Sequence, residues 1–220
     1  NGSFFFHGNV DYVKNDLKVT TDTMQFAYEQ QKLYFFGPTN IQNDSVTIHC
    51  KKGWYHVEKE EGILYNQAEI IQKTSIIKGD TLFVNTKKNE YEGQGNVFYK
   101  DFSQNMAFMG NHAKSSNSSH LAYLTGNTLA FKVYDGDTLY IHADSLIMHK
   151  DSLNNTTETI AHQNVRIYNK GMQGICDSAS YFPSSEELYL RSNPKIWEML
   201  QQQGHALVSP VPSLFTFNIK

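Results

Sequence analysis

The sequence has little of what identifies a disulfide-rich, metal-binding or disordered protein. It contains two cysteines in 220 residues, Cys50 and Cys176, too few for a disulfide framework, a CxxC motif or a zinc knuckle. We interpret them as two small buried apolar residues, with a disulfide between them as the alternative. With 5 prolines and 14 glycines, the composition excludes collagen-like and disordered chains.

An excess of charge of one sign is also missing. The formal net charge is −3, and lysine and arginine are scattered along the chain, so we expect no nucleic-acid partner. No apolar run reaches the roughly 18 residues that a transmembrane helix needs, and no signal peptide is visible. The sequence opens at Asn1 without a methionine, and we expect that an upstream segment was removed.

Catalytic motifs are not found either. The nine histidines are dispersed and form no HExxH motif. There is no G-x-S-x-G nucleophile motif, and Gly93-Gln94-Gly95 follows no βαβ pattern, so it is not a phosphate-binding loop. The sequence therefore predicts no catalytic residue, no metal site, no cofactor and no enzymatic activity.

Two short phrases recur instead, in a chain with 13% aromatic residues. The first phrase is Asp-Ser/Thr-apolar-x-apolar, and the second is Gly/Asn followed by Val-x-apolar. Alternating apolar residues are typical of strands that bury one face. The first phrase begins at Asp22, Asp44, Asp80, Asp137, Asp144 and Asp177, and the second is centred on Val10, Val97 and Val165.

We interpret each phrase as one turn followed by one short strand. Turn chemistry is found at 78–80, 92–95, 135–137 and 169–171. The polar stretches 114–119 and 151–157 are expected to be loops. Short strands that bury one face must stack on one another, which predicts a stacked β structure.

One segment has a different pattern. Asn193 at an N-cap position, Pro194 at the first helical position and a closing Gly204 predict a short helix over 193–204. The tail from His205 to Lys220 is expected to be an edge strand or a packing arm.

The alternation of the two phrases resembles the OstA-like, LptA-type family of periplasmic lipopolysaccharide-transport proteins. It is carried by Gly8-Asn9-Val10-Asp11-Tyr12 followed by Asp22-Thr23-Met24, and by Gly95-Asn96-Val97-Phe98-Tyr99. The same two phrases occur in reverse order at Asp144-Ser145-Leu146 and Asn164-Val165-Arg166. The resemblance covers roughly residues 8–192.

The resemblance implies an all-β fold, an elongated open β-jellyroll of two facing antiparallel sheets built from irregular hairpin repeats, here with one short C-terminal helix. We expect this domain over 1–192, with two tandem repeat units of about 1–92 and 93–192 left open. The helix and tail would occupy 193–220.

The resemblance also implies a function. We expect a non-enzymatic, periplasmic domain that holds the acyl chains of lipopolysaccharide or lipid A in an apolar groove. The groove would be lined by the apolar faces of the strands: Val10, Tyr12, Met24, Phe26, Tyr28, Val46, Ile48, Leu82, Val84, Val97, Tyr99, Leu129, Phe131, Leu139, Ile141, Leu146, Met148, Val165 and Ile167. The alternative is that these residues form a closed core in a structural or interaction protein of the cell envelope.

Partners follow from the same resemblance. Other OstA-like transport proteins, or a second copy of this chain, would join end to end by pairing strand edges. Candidate edges are the first strand, near 4–13, and the last strand, near 187–191 or 213–218. A carbohydrate-active β-solenoid enzyme is a weaker third hypothesis, because the acidic residues sit mostly in turns.

Overall fold

The computed structural model describes residues 2–134, 136–199, 206–210 and 214–218, and within these ranges it contains strands and no helix. The predicted all-β class is therefore confirmed. The strands are β1 Ser3–Lys14, β2 Leu17–Ala27, β3 Lys32–Phe35, β4 Thr39–Gln42, β5 Val46–Cys50, β6 Lys52–His56, β7 Glu61–Gln72, β8 Ser75–Asn85, β9 Glu90–Asp101, β10 Met106–Ser116, β11 Leu121–Tyr134, β12 Asp137–Lys150, β13 Thr156–Tyr168, β14 Met172–Phe182, β15 Glu187–Arg191, β16 Lys195–Met199, β17 Ala206–Pro210 and β18 Leu214–Asn218.

The chain divides into two compact units. Unit 1 comprises residues 1–100 and 112–118, and unit 2 comprises 101–111 and 119–220. Compactness alone does not show that either unit folds independently, so the division into domains stays a prediction.

Long strands in both units bend at a corner, which we define as two successive residues with positive φ inside one strand or between two strands that pair with the same neighbour. Examples are Gly8-Asn9 in β1 (φ 77° and 49°), Gly126-Asn127 in β11 (78° and 51°) and Gln163-Asn164 in β13 (62° and 52°). The pairing register shifts at each of these points. Glycine and asparagine reach positive φ at the lowest steric cost, which explains why they recur there.

The aspartate of the other phrase lies on the neighbouring strand at the corner. Asn164 donates its side-chain amide to Asp144 Oδ2 at 2.7 Å. Asn96 donates to Asp80 Oδ2 at 2.9 Å, and Asn193 donates to Asp177 Oδ2 at 3.3 Å. At Asp144 and at Asp80, the aspartate of the first phrase is therefore the hydrogen-bond partner of the asparagine of the second phrase.

In unit 1 the two halves of each bent strand enclose a common core. The two halves of β2 pair separately with β3 and β4, and the two halves of β7 pair with β6 and β5. Gly37-Pro38 separates β3 from β4 opposite Asp22, since a Cβ at Gly37 would lie 3.1 Å from Asp22 Cβ. One hydrophobic cluster joins residues from both halves, including Leu33, Phe35, Ile41 and Ile70. This is the predicted jellyroll arrangement of two facing antiparallel sheets.

Unit 2 repeats the pattern. In β12, Leu139, Ile141 and Ala143 are buried before the point that faces the corner of β13, and Leu146 and Met148 are buried after it. Asp144 faces outward between the two runs. The core face therefore stays the same across the bend.

Some predicted turns prove to lie within strands. Residues 92–95 lie inside β9 and end at the Gly95-Asn96 corner, and residues 78–80 lie inside β8, whereas Gly136 and residues 169–171 do lie between strands. The predicted loop at 114–119 is shorter than expected, because β10 continues to Ser116. Glycine and asparagine chemistry is the same in a hairpin turn and in a bend within a strand, so the sequence alone did not separate the two.

The predicted C-terminal helix is wrong for Lys195–Met199, which form β16 and pair with β14. Ser192 and Asn193 have φ of 60° and 56°, so Asn193 stands at a corner instead of capping a helix. Residues 200–204 of the predicted helix lie outside the described residues.

Candidate functional site

Most residues predicted to line a groove lie in the packed interiors of the two units. Three of the larger ones, Met24, Leu82 and Leu146, are at most 1% exposed. The buried members of the predicted set are Met24, Val46, Ile48, Leu82, Val84, Val97, Leu139, Ile141, Leu146, Met148, Val165 and Ile167. The half-buried members are Val10, Tyr12, Phe26, Tyr99, Leu129 and Phe131, and Tyr28 is exposed.

Two members of the set face away from the core. In the part of β11 after the corner the buried positions are Thr128 and Ala130, so Leu129 and Phe131 lie on the outer face. Phe131 contacts Tyr140 there, with ring centroids 6.1 Å apart. The alternation keeps its phase across the corner at 126–127, but the core positions after it are the small residues Thr128 and Ala130, whereas the larger apolar residues of this stretch were predicted to face inward.

The inner face of unit 1 is incompletely covered at its first strand. β1 pairs with β2, and residues 2–9 are all exposed. Phe4 and Phe6 lie opposite Phe26 and Met24 in the β1–β2 register, so both belong to the face that carries the core. Phe4 is 54% exposed and Phe6 is 42% exposed, although Met24 beside them is buried.

Aromatic rings continue along this margin. The ring centroids of Tyr12 and Phe26 are 5.7 Å apart, and those of Phe26 and Tyr28 are 6.0 Å apart in an edge-on arrangement. Burial raises the pKa of the Tyr12 hydroxyl above its ordinary value. We call the set Phe4, Phe6, Tyr12, Phe26 and Tyr28 the aromatic edge.

The aromatic edge is continuous with the core. Tyr12 and Phe26 pack against the hydrophobic cluster of unit 1, together with Val10. Phe5 and His7 alternate with Phe4 and Phe6 and lie opposite Gln25 and Thr23. One face of β1 is therefore an apolar surface that leads from solvent into the core.

Sequence reasoning found Val10, Tyr12, Phe26 and Tyr28 but missed Phe4 and Phe6. The three successive phenylalanines at 4–6 hide the alternation, and the polar corner at Gly8-Asn9 separates them from Val10 without changing its phase. Continuing the alternation backward from Val10 across a two-residue corner would have reached Phe6.

Other chemistry is sparse in the part of the chain that the structure describes. Histidine, cysteine, aspartate and glutamate form no cluster there that could hold a metal ion. Cys50 and Cys176 are both free and buried, as the favoured interpretation predicted, and burial raises the pKa of each thiol to about 11. Among the described residues no helix is long and apolar enough to cross a membrane.

Comparison with known proteins gives a match for the first part of the chain. Residues 1–90, which contain the aromatic edge, match the family model described as LptA/(LptD N-terminal domain) LPS transport protein. Residues 1–90 are therefore similar to this family. The resemblance expected from the sequence is thereby confirmed for that part of the chain. The family is one of transport proteins and not of enzymes.

One solved structure is similar over most of its length. It is LptH, the LptA homologous periplasmic component of the conserved lipopolysaccharide transport device from Pseudomonas aeruginosa. The alignment has 9% sequence identity and a TM-score of 0.32, and it covers 78% of this chain and 93% of LptH. No curated protein matches the sequence.

Proposed function

We propose that this chain is a periplasmic carrier or bridge domain for lipopolysaccharide, and that acyl chains enter unit 1 at the aromatic edge. The observation that carries the proposal is an apolar inner face left open at β1, within the residues that match the transport family. No cofactor is needed, because the step is transfer of apolar surface from water to protein.

The magnitudes favour an acyl chain as the occupant. Each methylene group that leaves water contributes about 0.8 kcal/mol, so a chain of about twelve carbons contributes about 10 kcal/mol before ordering costs. Phe4, Phe6 and Tyr28 already expose apolar surface, so covering them requires no disruption of native packing. The sugar head would stay in water.

Deeper entry has a cost. Met24, Leu33 and Phe35 behind the aromatic edge are at most 1% exposed, so an acyl chain can pass them only if the facing sheets separate. We propose that the remaining groove positions, such as Ile48 and Leu82 in unit 1, are reached by that opening. The equivalent positions in unit 2 are Ile141 and Met148.

Burial of most of the predicted set favours a second candidate. If the sheets never separate, the chain is a structural or interaction protein of the cell envelope with closed cores. The two candidates differ in whether buried inner positions ever contact lipid.

Photocrosslinking from inner positions separates the candidates. A photoreactive phenylalanine analogue replaces Phe26, Ile141 or Met148, and Phe83 on the outer face of β8 serves as the matched half-buried aromatic control. The carrier proposal expects lipopolysaccharide adducts at Phe26 and at one or both deeper positions, with none at Phe83. Adducts at Phe26 alone would support binding at the edge and a closed core. The absence of adducts at all three positions would argue against lipid carriage.

Joining to other transport proteins, or to a second copy, is part of the proposal. β1 remains a candidate edge, because its exposed residues leave its outer side accessible. β15 is not one, since it pairs with β14 and with β18, so the expected edge at 187–191 is corrected. β18 itself is the candidate at the other end. Removing residues 1–14 should abolish assembly, measured by analytical ultracentrifugation, if β1 is the joining strand.

A further inference from the structure

A second surface, on the outer face of unit 2, has features of a ligand site that the acyl-chain proposal does not use. Cross-strand register places two rows of side chains on this face of β12, β13, β14 and β16. The first row is Tyr140, Tyr168, Gln173 and Trp197, and the second row is His142, Arg166, Ile175 and Lys195.

A cavity of about 730 Å³ lies over the β13, β14 and β16 part of these rows. Arg166, Ile175, Lys195 and Trp197 are among the residues that line it. This volume falls in the range of sites that hold a small organic ligand, about 300–1,000 Å³, and is far larger than a single inorganic ion needs.

The charge of the cavity favours an anion. Arg166 and Lys195 contribute two positive charges, and neither forms an ion pair with any other residue that the structure describes. The one carboxylate in the lining, that of Asp177, accepts a hydrogen bond from Asn193 at the corner. The lining therefore has a net positive charge with two uncommitted cations.

The two cations can reach one group. Arg166 on β13 and Lys195 on β16 are both in register with Ile175 on β14, which lies between them. Neighbouring strands are about 4.8 Å apart, so the Cα atoms of Arg166 and Lys195 are roughly 10 Å apart. Side chains of this length converge readily over the short Ile175, and guanidinium with ammonium suits a phosphate.

The remainder of the lining suits a sugar ring. The indole of Trp197 is half-buried and Ile175 is 39% exposed, so both offer flat or apolar surface that an inorganic phosphate would not use. Asn164 and Asn193 each give one amide N–H to an aspartate, and the second N–H and the carbonyl of each amide are groups of the kind that bind hydroxyls. Tyr140 and Tyr168, with ring centroids 6.2 Å apart, extend the aromatic surface beyond the cavity.

We propose that this outer-face pocket, lined by Arg166, Gln173, Ile175, Lys195 and Trp197, binds a phosphorylated sugar. The phosphate lies between Arg166 and Lys195, and the sugar ring packs on Trp197 and Ile175. The ligand is a free sugar phosphate or the headgroup of a phosphorylated glycolipid, which share this chemistry. The proposal does not rest on acyl-chain carriage in unit 1.

Isothermal titration of the full chain at low ionic strength tests the pocket with glucose 6-phosphate, glucose and inorganic phosphate as probes. Glucose 6-phosphate should bind at least about tenfold more tightly than either of the other two. The variants R166Q and K195Q should each weaken it by about tenfold, and W197L should weaken it while leaving phosphate binding unchanged. K170Q removes an exposed lysine of unit 2 outside the pocket and should have no effect.

Two outcomes would overturn the proposal: equal binding of inorganic phosphate and glucose 6-phosphate, or unchanged affinity in both R166Q and K195Q. Lys195 is exposed, so K195Q should fold normally and keep the test valid. A monophosphorylated glycolipid in detergent micelles, compared with its deacylated form, identifies the source. Tighter binding of the glycolipid, lost in K195Q, identifies a headgroup, and equal binding identifies a free sugar phosphate.

Discussion

At the scale of single residues, the corners are the feature with the clearest energetic consequence. Gly95 has φ of 72°, and a Cβ there would meet the Asp80 carboxylate within contact distance. Gly136 has φ of 79° in a turn where a Cβ would meet nothing within 4 Å. Alanine would therefore cost the same backbone strain at both positions, but only at position 95 would its Cβ also clash with a neighbouring side chain.

Gly95→Ala should accordingly destabilise the protein more than Gly136→Ala. The shared cost of placing alanine at positive φ is about 1–2 kcal/mol, and the clash with Asp80 adds to it in Gly95→Ala. Urea denaturation of both variants measures the difference. Equal losses of stability would show that Asp80 moves aside freely and that the corner is not closely packed.

The corner asparagine admits a similar test. Asn164→Gly keeps positive φ accessible and removes the 2.7 Å hydrogen bond to Asp144, whereas Asn164→Ala removes both advantages. The hydrogen bond is exposed, so we expect a loss of at most about 1 kcal/mol in the glycine variant and about 1–2 kcal/mol more in the alanine variant. A glycine variant that is less stable than the alanine variant would contradict this account of the recurring phrase.

Residue types also show how far the sequence could lead. Asparagine, glycine and aspartate at fixed positions correctly marked points where the chain changes direction. They did not distinguish a turn between strands from a corner within one, because both require positive φ. For the same reason Asn193-Pro194 was interpreted as the start of a helix. The pairing of Lys195–Met199 with β14 shows that a strand follows instead.

At the scale of elements, β16 provides a direct check of the corrected assignment. In this strand Ile196 faces the core at 6% exposure, and Lys195 faces outward. Ile196→Ala should cost about 2–4 kcal/mol of unfolding free energy, and Lys195→Ala should cost less than about 0.5 kcal/mol. Thermal denaturation of the two variants tests the alternation, and similar effects would indicate that the segment does not alternate.

The element β1 shows why the candidate site was only partly predictable. Period-two alternation identified Val10 and Tyr12 and stays in phase across the Gly8-Asn9 corner to Phe6, but a run of three phenylalanines does not show which of them faces the core. In β11 the core positions after the corner are the small residues Thr128 and Ala130, so residue size alone placed Leu129 and Phe131 on the wrong face. Whether a side chain is buried depends on which strands lie beside it, and those neighbours became known only with the pairing register.

At the scale of the whole molecule, buried thiols and hydroxyls predict a limit to stability at alkaline pH. Burial raises the pKa of Cys50 and Cys176 to about 11 from 9.0, and that of Tyr91 to about 12 from 10.0. Each group therefore favours the folded state below its unfolded pKa. That contribution is lost as pH rises from about 9 toward 12.

We expect the melting temperature to be nearly constant between pH 7 and about 8.5 and to fall steeply between about pH 9 and 12. Differential scanning calorimetry measures this profile. A Cys50→Ser, Cys176→Ser variant should lose stability at neutral pH but show a shallower fall over the lower part of that range. An unchanged slope in this variant would show that the thiols do not contribute.

At the same scale, entry of acyl chains depends on the open inner face of β1, and Phe5 and Phe6 allow this entry to be tested within one strand. Phe6 lies on the face of Met24, and Phe5 lies on the opposite face. Phe6 is 42% exposed and Phe5 is 60% exposed, so accessibility alone would favour labelling at Phe5.

The decisive measurement is photocrosslinking of lipopolysaccharide to a photoreactive phenylalanine analogue at each position, with deacylated lipopolysaccharide as the control ligand. We predict adducts at position 6 that disappear with the deacylated ligand, and few at position 5. Equal labelling of the two positions, or labelling that survives deacylation, would contradict entry of acyl chains at the aromatic edge.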